Sequence, residues 1–153
     1  ELDQSIETAM KAERKAPKFV TAYKWLGLSH AFKGNYEAAF ETYKRGNKFY
    51  QGKYQLDKAI TFALMGNNKE AISILNAEML QEDRKIVASS DIANVYYHLG
   101  DYDNALNYLE MAIEEKDSQL SFLYFSNEWE KLFDNKKFNA IRERLNLPPK
   151  TKE

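Results

Sequence analysis

Three glycines set the frame of this chain. Gly34, Gly66 and Gly100 are each followed five residues later by an alanine, Ala39, Ala71 and Ala105, and nine residues later by a large side chain, Tyr43, Leu75 and Leu109. Seven residues before each glycine stands another small residue, Gly27, Ala59 and Ala93. The step from Gly34 to Gly66 and the step from Gly66 to Gly100 are nearly equal. Self-similarity at such a period is the mark of stacked supersecondary units, each too small to bury its apolar stripe alone. Each copy reads as helix, turn, helix, because glycine adopts the left-handed conformation that ends one helix and admits the next. The turn sequences Gly34-Asn35, Gly66-Asn67-Asn68 and Gly100-Asp101 supply polar capping residues at the right place. The paired small residues let the two backbones of a unit approach closely while larger side chains interlock around them.

These residues resemble the tetratricopeptide repeat, whose pattern runs W-x2-L-G-x2-Y, a glycine turn, A-x3-F and a late proline. In the copy over 20–51, Tyr23 stands for the first aromatic, Leu26-Gly27 for the L-G pair, His30 for the tyrosine, Gly34 for the turn, Ala39 for the alanine and Tyr43 for the following large residue. The copy over 86–117 keeps Ala93, Tyr96, Gly100, Tyr102, Ala105, Leu109 and Ala112. The copy over 52–85 is degraded: it keeps Ala59, Phe62, Gly66, Ala71 and Leu75 but has Gln55 and Asn68 at aromatic positions. Residues 1–19 read as a half-repeat, since Ser5, Ala9, Ala12 and Pro17 match a second helix and its terminating proline. Its first helix is expected in preceding sequence, which leaves Leu2, Ile6 and Ala9 as an apolar stripe for another surface, such as a second copy in a homodimer.

The repeat frame is expected to fail at Asp117, so that repeats occupy 1–116 and a helical cap occupies 117–153 of the same domain. Ser118–Phe125 reads as one further helix, Asn127–Phe133 as a short helical turn, and Asn135–Leu145 as a helix with Phe138, Ile141 and Leu145 on one face, stopped by Asn146 and Pro148-Pro149. Trp129-Glu130-Lys131-Leu132 with Asn135-Lys136-Lys137-Phe138 resembles a tail that follows repeat arrays in bacterial signalling and transcription-regulator proteins, with Lys136-Lys137 in place of the usual Pro-Arg. Such a tail implies the regulatory or sensory portion of a longer protein. The plainer reading is that Trp129, Phe133 and Phe138 plug the open end of the array, which terminal repeats require.

Composition narrows the chemistry. The 153 residues suit one domain, and 22 Lys+Arg against 23 Asp+Glu leave a formal net charge of -1, with no overall surplus for a phosphate backbone or an anionic membrane. The expectation is no direct nucleic-acid partner and no membrane partner. Zero cysteines exclude disulfides and thiolate metal sites, and His30 and His98 fall in different copies without matched ligands. Phosphate loops, dinucleotide fingerprints and metalloprotease helices are missing from the sequence, so the expectation is a non-catalytic chain without cofactor or metal. The lack of a signal-like opening or a spanning apolar run leads to an expected cytoplasmic location. Tyr23, Trp25, Tyr36, Phe40, Tyr43, Phe49, Tyr50 and Tyr54 crowd one region and read as interhelix core, Trp25 alone lying outside the frame as a contact candidate.

The resemblance implies an all-α, right-handed superhelical solenoid of antiparallel helix pairs with a C-terminal helical cap. It also implies that first helices line a concave groove for a peptide or protein segment. Three rungs follow: Thr21, Lys24, Leu28 and Phe32; Lys53, Leu56, Ile60 and Leu64; and Val87, Ser90, Asn94, Tyr97 and His98. Family members that clamp a C-terminal carboxylate pair lysine with asparagine on these rungs; here Lys24 stands beside Leu28 and Asn94 beside Ser90, so that clamp is broken. Two alternatives remain for Leu28, Ile60 and Leu64: a groove for an amphipathic segment, or packing between neighbouring first helices.

Overall fold

The chain was analysed as a computed structural model, which describes residues 2–80, 87–121, 123 and 129–148. Its described residues form eight α-helices and no strand: α1 Leu2–Lys15, α2 Val20–Phe32, α3 Tyr36–Asn47, α4 Gln55–Leu64, α5 Asn68–Met79, α6 Ser89–Leu99, α7 Tyr102–Glu114 and α8 Lys136–Arg144. Two 3-10 turns, Ser118–Ser121 and Glu130–Leu132, lie between α7 and α8. The helices pair as the repeat demands, α2 with α3, α4 with α5 and α6 with α7. Gly34, Gly66 and Gly100 end the first helix of each pair at φ 78°, 79° and 80°, a conformation that a side chain at Cβ would strain. The chain divides into two compact units, Glu1–Gln81 and Glu82–Glu153. That division falls between the second and third helix pairs.

Unit 1 is held by tyrosines. Gly27 is buried on α2, and a Cβ there would lie 2.1 Å from the Tyr43 ring of α3, so the missing side chain is what lets Tyr43 pack flat on α2. Tyr43 stacks on Tyr54 at 5.9 Å and 20°, and its hydroxyl lies 3.3 Å from Thr61 Oγ1 on α4. The other hydroxyls leave the core to reach backbone carbonyls: Tyr54 donates to Val20 at 3.2 Å, Tyr23 to Pro17 at 2.9 Å and Tyr36 to Leu64 at 3.1 Å. Each ring thus contributes apolar burial while its polar end stays paired. Between α1 and α3 the Arg45 guanidinium donates to both carboxylate oxygens of Glu13, at 2.9 and 3.1 Å. Of the stripe expected on α1, only Ala9 is buried; Ile6 is half-buried and Leu2 exposed. Ala39, Ala59 and Ala71 are all fully buried at their pair interfaces.

In unit 2 the third helix pair and the cap share one core. Ala93, Ala105, Leu106, Leu109 and Ala112 pack with Leu120, Leu123, Trp129, Leu132, Phe133, Phe138 and Ile141. Beyond Asp117, where the repeat frame is expected to fail, the spacing of the polar N-caps recurs once more. Asn35, Asn67, Asp101 and Asn135 are the N-caps of α3, α5, α7 and α8, and Asn135 stands as far beyond Asp101 as Asp101 stands beyond Asn67. The cap therefore places α8 as a second helix in register, and Lys137–Glu110 and Arg144–Glu114 bridge it to α7 at 2.9 and 2.6 Å. Sequence similarity is lost there because no glycine ends the preceding segment, while the capping chemistry persists. The helix expected over Ser118–Phe125 opens as a 3-10 turn through Ser121 and is α-helical at Leu123, the rest of its length lying outside the described residues, as does the start of the turn expected from Asn127. Arg142, buried on α8, donates from Nε to the Pro148 carbonyl at 2.8 Å and from Nη1 to the Leu123 carbonyl at 2.7 Å, with its guanidinium 5.9 Å from the centre of the Phe138 ring. One cation thereby fastens two chain segments to α8.

Candidate binding surfaces

The first rung lies on α2 and the second on α4, except Lys53 in the turn before it, and the two helices pack side by side in unit 1. Thr21 and Lys53 are exposed, and Lys24, Phe32, Leu56 and Leu64 are half-buried. Leu28 and Ile60 are each 2% exposed, so these two belong to the core and offer a ligand no surface. The physical reason is helix packing: one turn further along α2 and α4 the frame turns these side chains between the helices instead of outward.

On α6 the third rung is occupied by its own unit. Tyr97 is buried and stacks on Trp129 at 4.6 Å and 25°, and its hydroxyl accepts the Lys131 backbone N–H at 3.4 Å. Trp129, 1% exposed, lies in turn against Phe138 at 5.8 Å with the rings nearly parallel. Ser90 is buried, and both its hydroxyl and its backbone N–H donate to Asp117, whose other carboxylate oxygen accepts the Gln119 N–H at 2.9 Å. Asn94 is half-buried, its Oδ1 enclosed and lacking a hydrogen-bond partner among the described residues, and Val87 is half-buried. His98 meets the Tyr97 ring edge-on at 5.2 Å. Burial, and after it the Lys131 charge, pulls the His98 pKa down to about 4, so the ring is neutral at physiological pH. Ser90 and Tyr97 are thus structural, not groove residues.

Sequence reasoning missed an exposed aromatic cluster at one end of unit 1. Phe49 and Tyr50, read as interhelix core, are 43% and 39% exposed, and Phe19, which no repeat position singled out, is 51% exposed. All three stand in the α1–α2 and α3–α4 connections, outside the helix-pair interface. Trp25 is 45% exposed on α2, where its position outside the frame placed it.

No described cluster of three His, Asp or Glu residues is arranged to hold a metal, and no described helix is long and apolar enough to cross a membrane. Fold and faces together define a helical repeat chain built of antiparallel helix pairs. Residues 90–118, the third pair and its exit, match the family model of the tetratricopeptide repeat. No curated protein and no solved structure matches the chain.

Proposed function

We propose that the chain is a non-catalytic protein-interaction module that holds a peptide or protein segment along the α2–α4 face of unit 1. The observation that carries this reading is the contrast between rungs. Lys24 on α2 and Leu56 on α4, one repeat apart, keep part of their surface, whereas Ser90 at the same frame position of α6 is buried and donates to Asp117. A helix-pair repeat devotes its glycines and alanines to packing, which leaves binding to side chains on the first helices. The half-buried apolar groups between Lys24 and Lys53 suit a segment with apolar anchors and acidic flanks.

A peptide library displayed on phage and selected on the full chain tests this. Selected peptides are expected to bind at least about tenfold more weakly to a Lys24→Glu, Leu56→Glu variant whose melting curve matches the parent. Peptides that bind both proteins equally place the site elsewhere.

A further inference from the structure

The exposed aromatic cluster lies in the most basic part of the sequence. Segments 14–19 and 48–54 carry Arg14, Lys15, Lys18, Lys48 and Lys53 with no Asp or Glu, in a chain of net charge -1. The two segments form one surface. Tyr50 donates its hydroxyl to the Lys18 carbonyl at 3.0 Å, and the Phe49 ring rests 6.2 Å from that of Tyr23, which itself holds the Pro17 carbonyl. Between them lies an open recess with apolar walls, lined by Ala16, Pro17, Lys18, Phe19 and Phe49.

Folding accounts for only part of this charge. Arg14 and Lys15 sit in the last turn of α1 and Lys48 just beyond α3, where cations offset the negative helix end. Lys18 and Lys53 instead precede Phe19 and Tyr54, the N-caps of α2 and α4, at the positive ends where a cation is disfavoured. Among the described residues none of the five forms an ion pair. The nearest acid in sequence, Glu13, is taken by Arg45.

We infer that this end of unit 1 binds an acidic peptide segment carrying one apolar anchor residue. The anchor enters the recess between Phe19 and Phe49, and carboxylates on either side of it meet Lys18 and Lys48 and the cations beside them. Charge complementarity selects the acidic partner, and a recess walled by two rings selects an apolar side chain. Single-stranded nucleic acid stacks successive bases along a row of open rings, whereas Phe19 and Phe49 line one shared recess. A bilayer takes up side chains that protrude, whereas these two rings wall a hollow. The inference stands apart from the α2–α4 reading, since it uses connections and not helix faces; Lys53 alone is common to both.

Fluorescence anisotropy on the full chain tests it, with dye-labelled Asp/Glu nonapeptides bearing Leu, Trp or Gly at the centre and a Lys-flanked Leu peptide as the charge control. Saturable binding is expected only for the acidic Leu and Trp peptides, weakening as salt shortens the electrostatic range. Phe49→Ala, and separately Lys18→Glu with Lys48→Glu, are each expected to weaken it at least about tenfold. The charge reversals lie on exposed positions, so they also report if Phe49→Ala disturbs folding. The Lys24→Glu, Leu56→Glu variant is expected to bind these peptides normally, which separates this site from the helix face. Equal binding of the Gly peptide, indifference to the charge reversals, tighter binding of an oligo-dT strand or of phosphatidylserine vesicles, or self-association abolished by the same reversals overturns the inference.

Discussion

In unit 2 the first-helix face of the repeat is closed by the chain itself: Trp129 lies between Tyr97 of α6 and Phe138 of α8 and is buried to 1%. In unit 1 the frame puts the small, buried Ala31 and Ala63 where Tyr97 stands, with no tryptophan laid over them among the described residues, and the connections leave Phe19 and Phe49 exposed. Both units use small residues at the pair interface, left-handed glycines at the turn and polar N-caps on the second helix. The frame therefore fixes the pairing of helices and leaves the fate of their outer faces to residues that the frame does not specify. A tryptophan well past the end of α7 decides that α6 carries a core, while loop phenylalanines decide that unit 1 carries a surface.

Removing the lid is the largest test of that contrast. Trp129→Ala deletes a fully buried ring stacked on two others and is expected to cost about 3–5 kcal/mol. Hydrogen exchange read by mass spectrometry is the suitable measurement, because it reports the two units separately. Faster exchange over 89–144 with unchanged exchange over 20–79 supports a lid that serves unit 2 alone. Equal acceleration in both would mean that the units open together, and the comparison would lose its basis.

Protonation gives a smaller and reversible test. His98 in unit 2 has its pKa pulled down to about 4 from an ordinary 6.5, first by burial and then by the Lys131 charge. Above pH 6.5 neither folded nor unfolded chain holds the proton. As pH falls from 6.5 toward 4 the unfolded chain takes it up and the folded chain does not, so stability is lost through that window and levels off below it. The expected loss attributable to His98 is about 1–3 kcal/mol. His30 in unit 1 is shifted in the same direction, by burial and then by the Arg45 and Lys33 charges, but lies in a less enclosed place. The chain has one tryptophan per unit, so Trp25→Phe leaves Trp129 to report unit 2, and Trp129→Phe leaves Trp25 to report unit 1. Urea midpoints at pH 7.5 and 4.5 should fall more in the first background than in the second, and His98→Gln should reduce the first drop. An unchanged drop in the glutamine variant would assign it to carboxylates.

The helix pairs were legible in the sequence because their signals are local and repeated: a glycine that must turn left-handed, a cap after it, an alanine where two backbones touch. Gly27 and Ala71 carry their structural meaning in their smallness, and both are buried at pair interfaces. The binding surfaces were less legible because exposure depends on what arrives from elsewhere. Leu28 and Tyr97 occupy groove positions in the frame, yet one is turned into the core and the other is covered by Trp129, a tryptophan from beyond the helix pair to which Tyr97 belongs. Phe49 had the opposite fate, since an aromatic at the end of α3 reads as core until the connection to α4 is seen to carry it outside. The loop cations Lys18 and Lys53 were visible as letters, and their misfit with the helix ends became an argument only once α2 and α4 had definite starts.

The finest test concerns the caps, where the continuing frame and the contrast between units meet. Asn135 Oδ1 accepts the Phe138 N–H at 3.0 Å, and Asp101 and Asn67 accept from Asn104 and Glu70 at 3.2 and 3.4 Å, whereas Asn35 makes no side-chain bond to the start of α3. A cap that closes an otherwise unpaired N–H contributes about 1 kcal/mol, and one that does not contributes a few tenths. Asn135→Ala is therefore expected to destabilise unit 2 by about 1 kcal/mol, and Asn35→Ala to shift unit 1 by less than about half as much, both read as urea midpoints in the single-tryptophan backgrounds. If Asn135→Ala proves silent, α8 is held by Phe138, Ile141 and its bridges to α7 alone, and its even spacing from Asp101 reflects packing without the capping chemistry of the repeat. A full loss at Asn135 makes the cap a fourth copy of the frame in energy as well as in spacing, and locates the difference between the units in the aromatic lid.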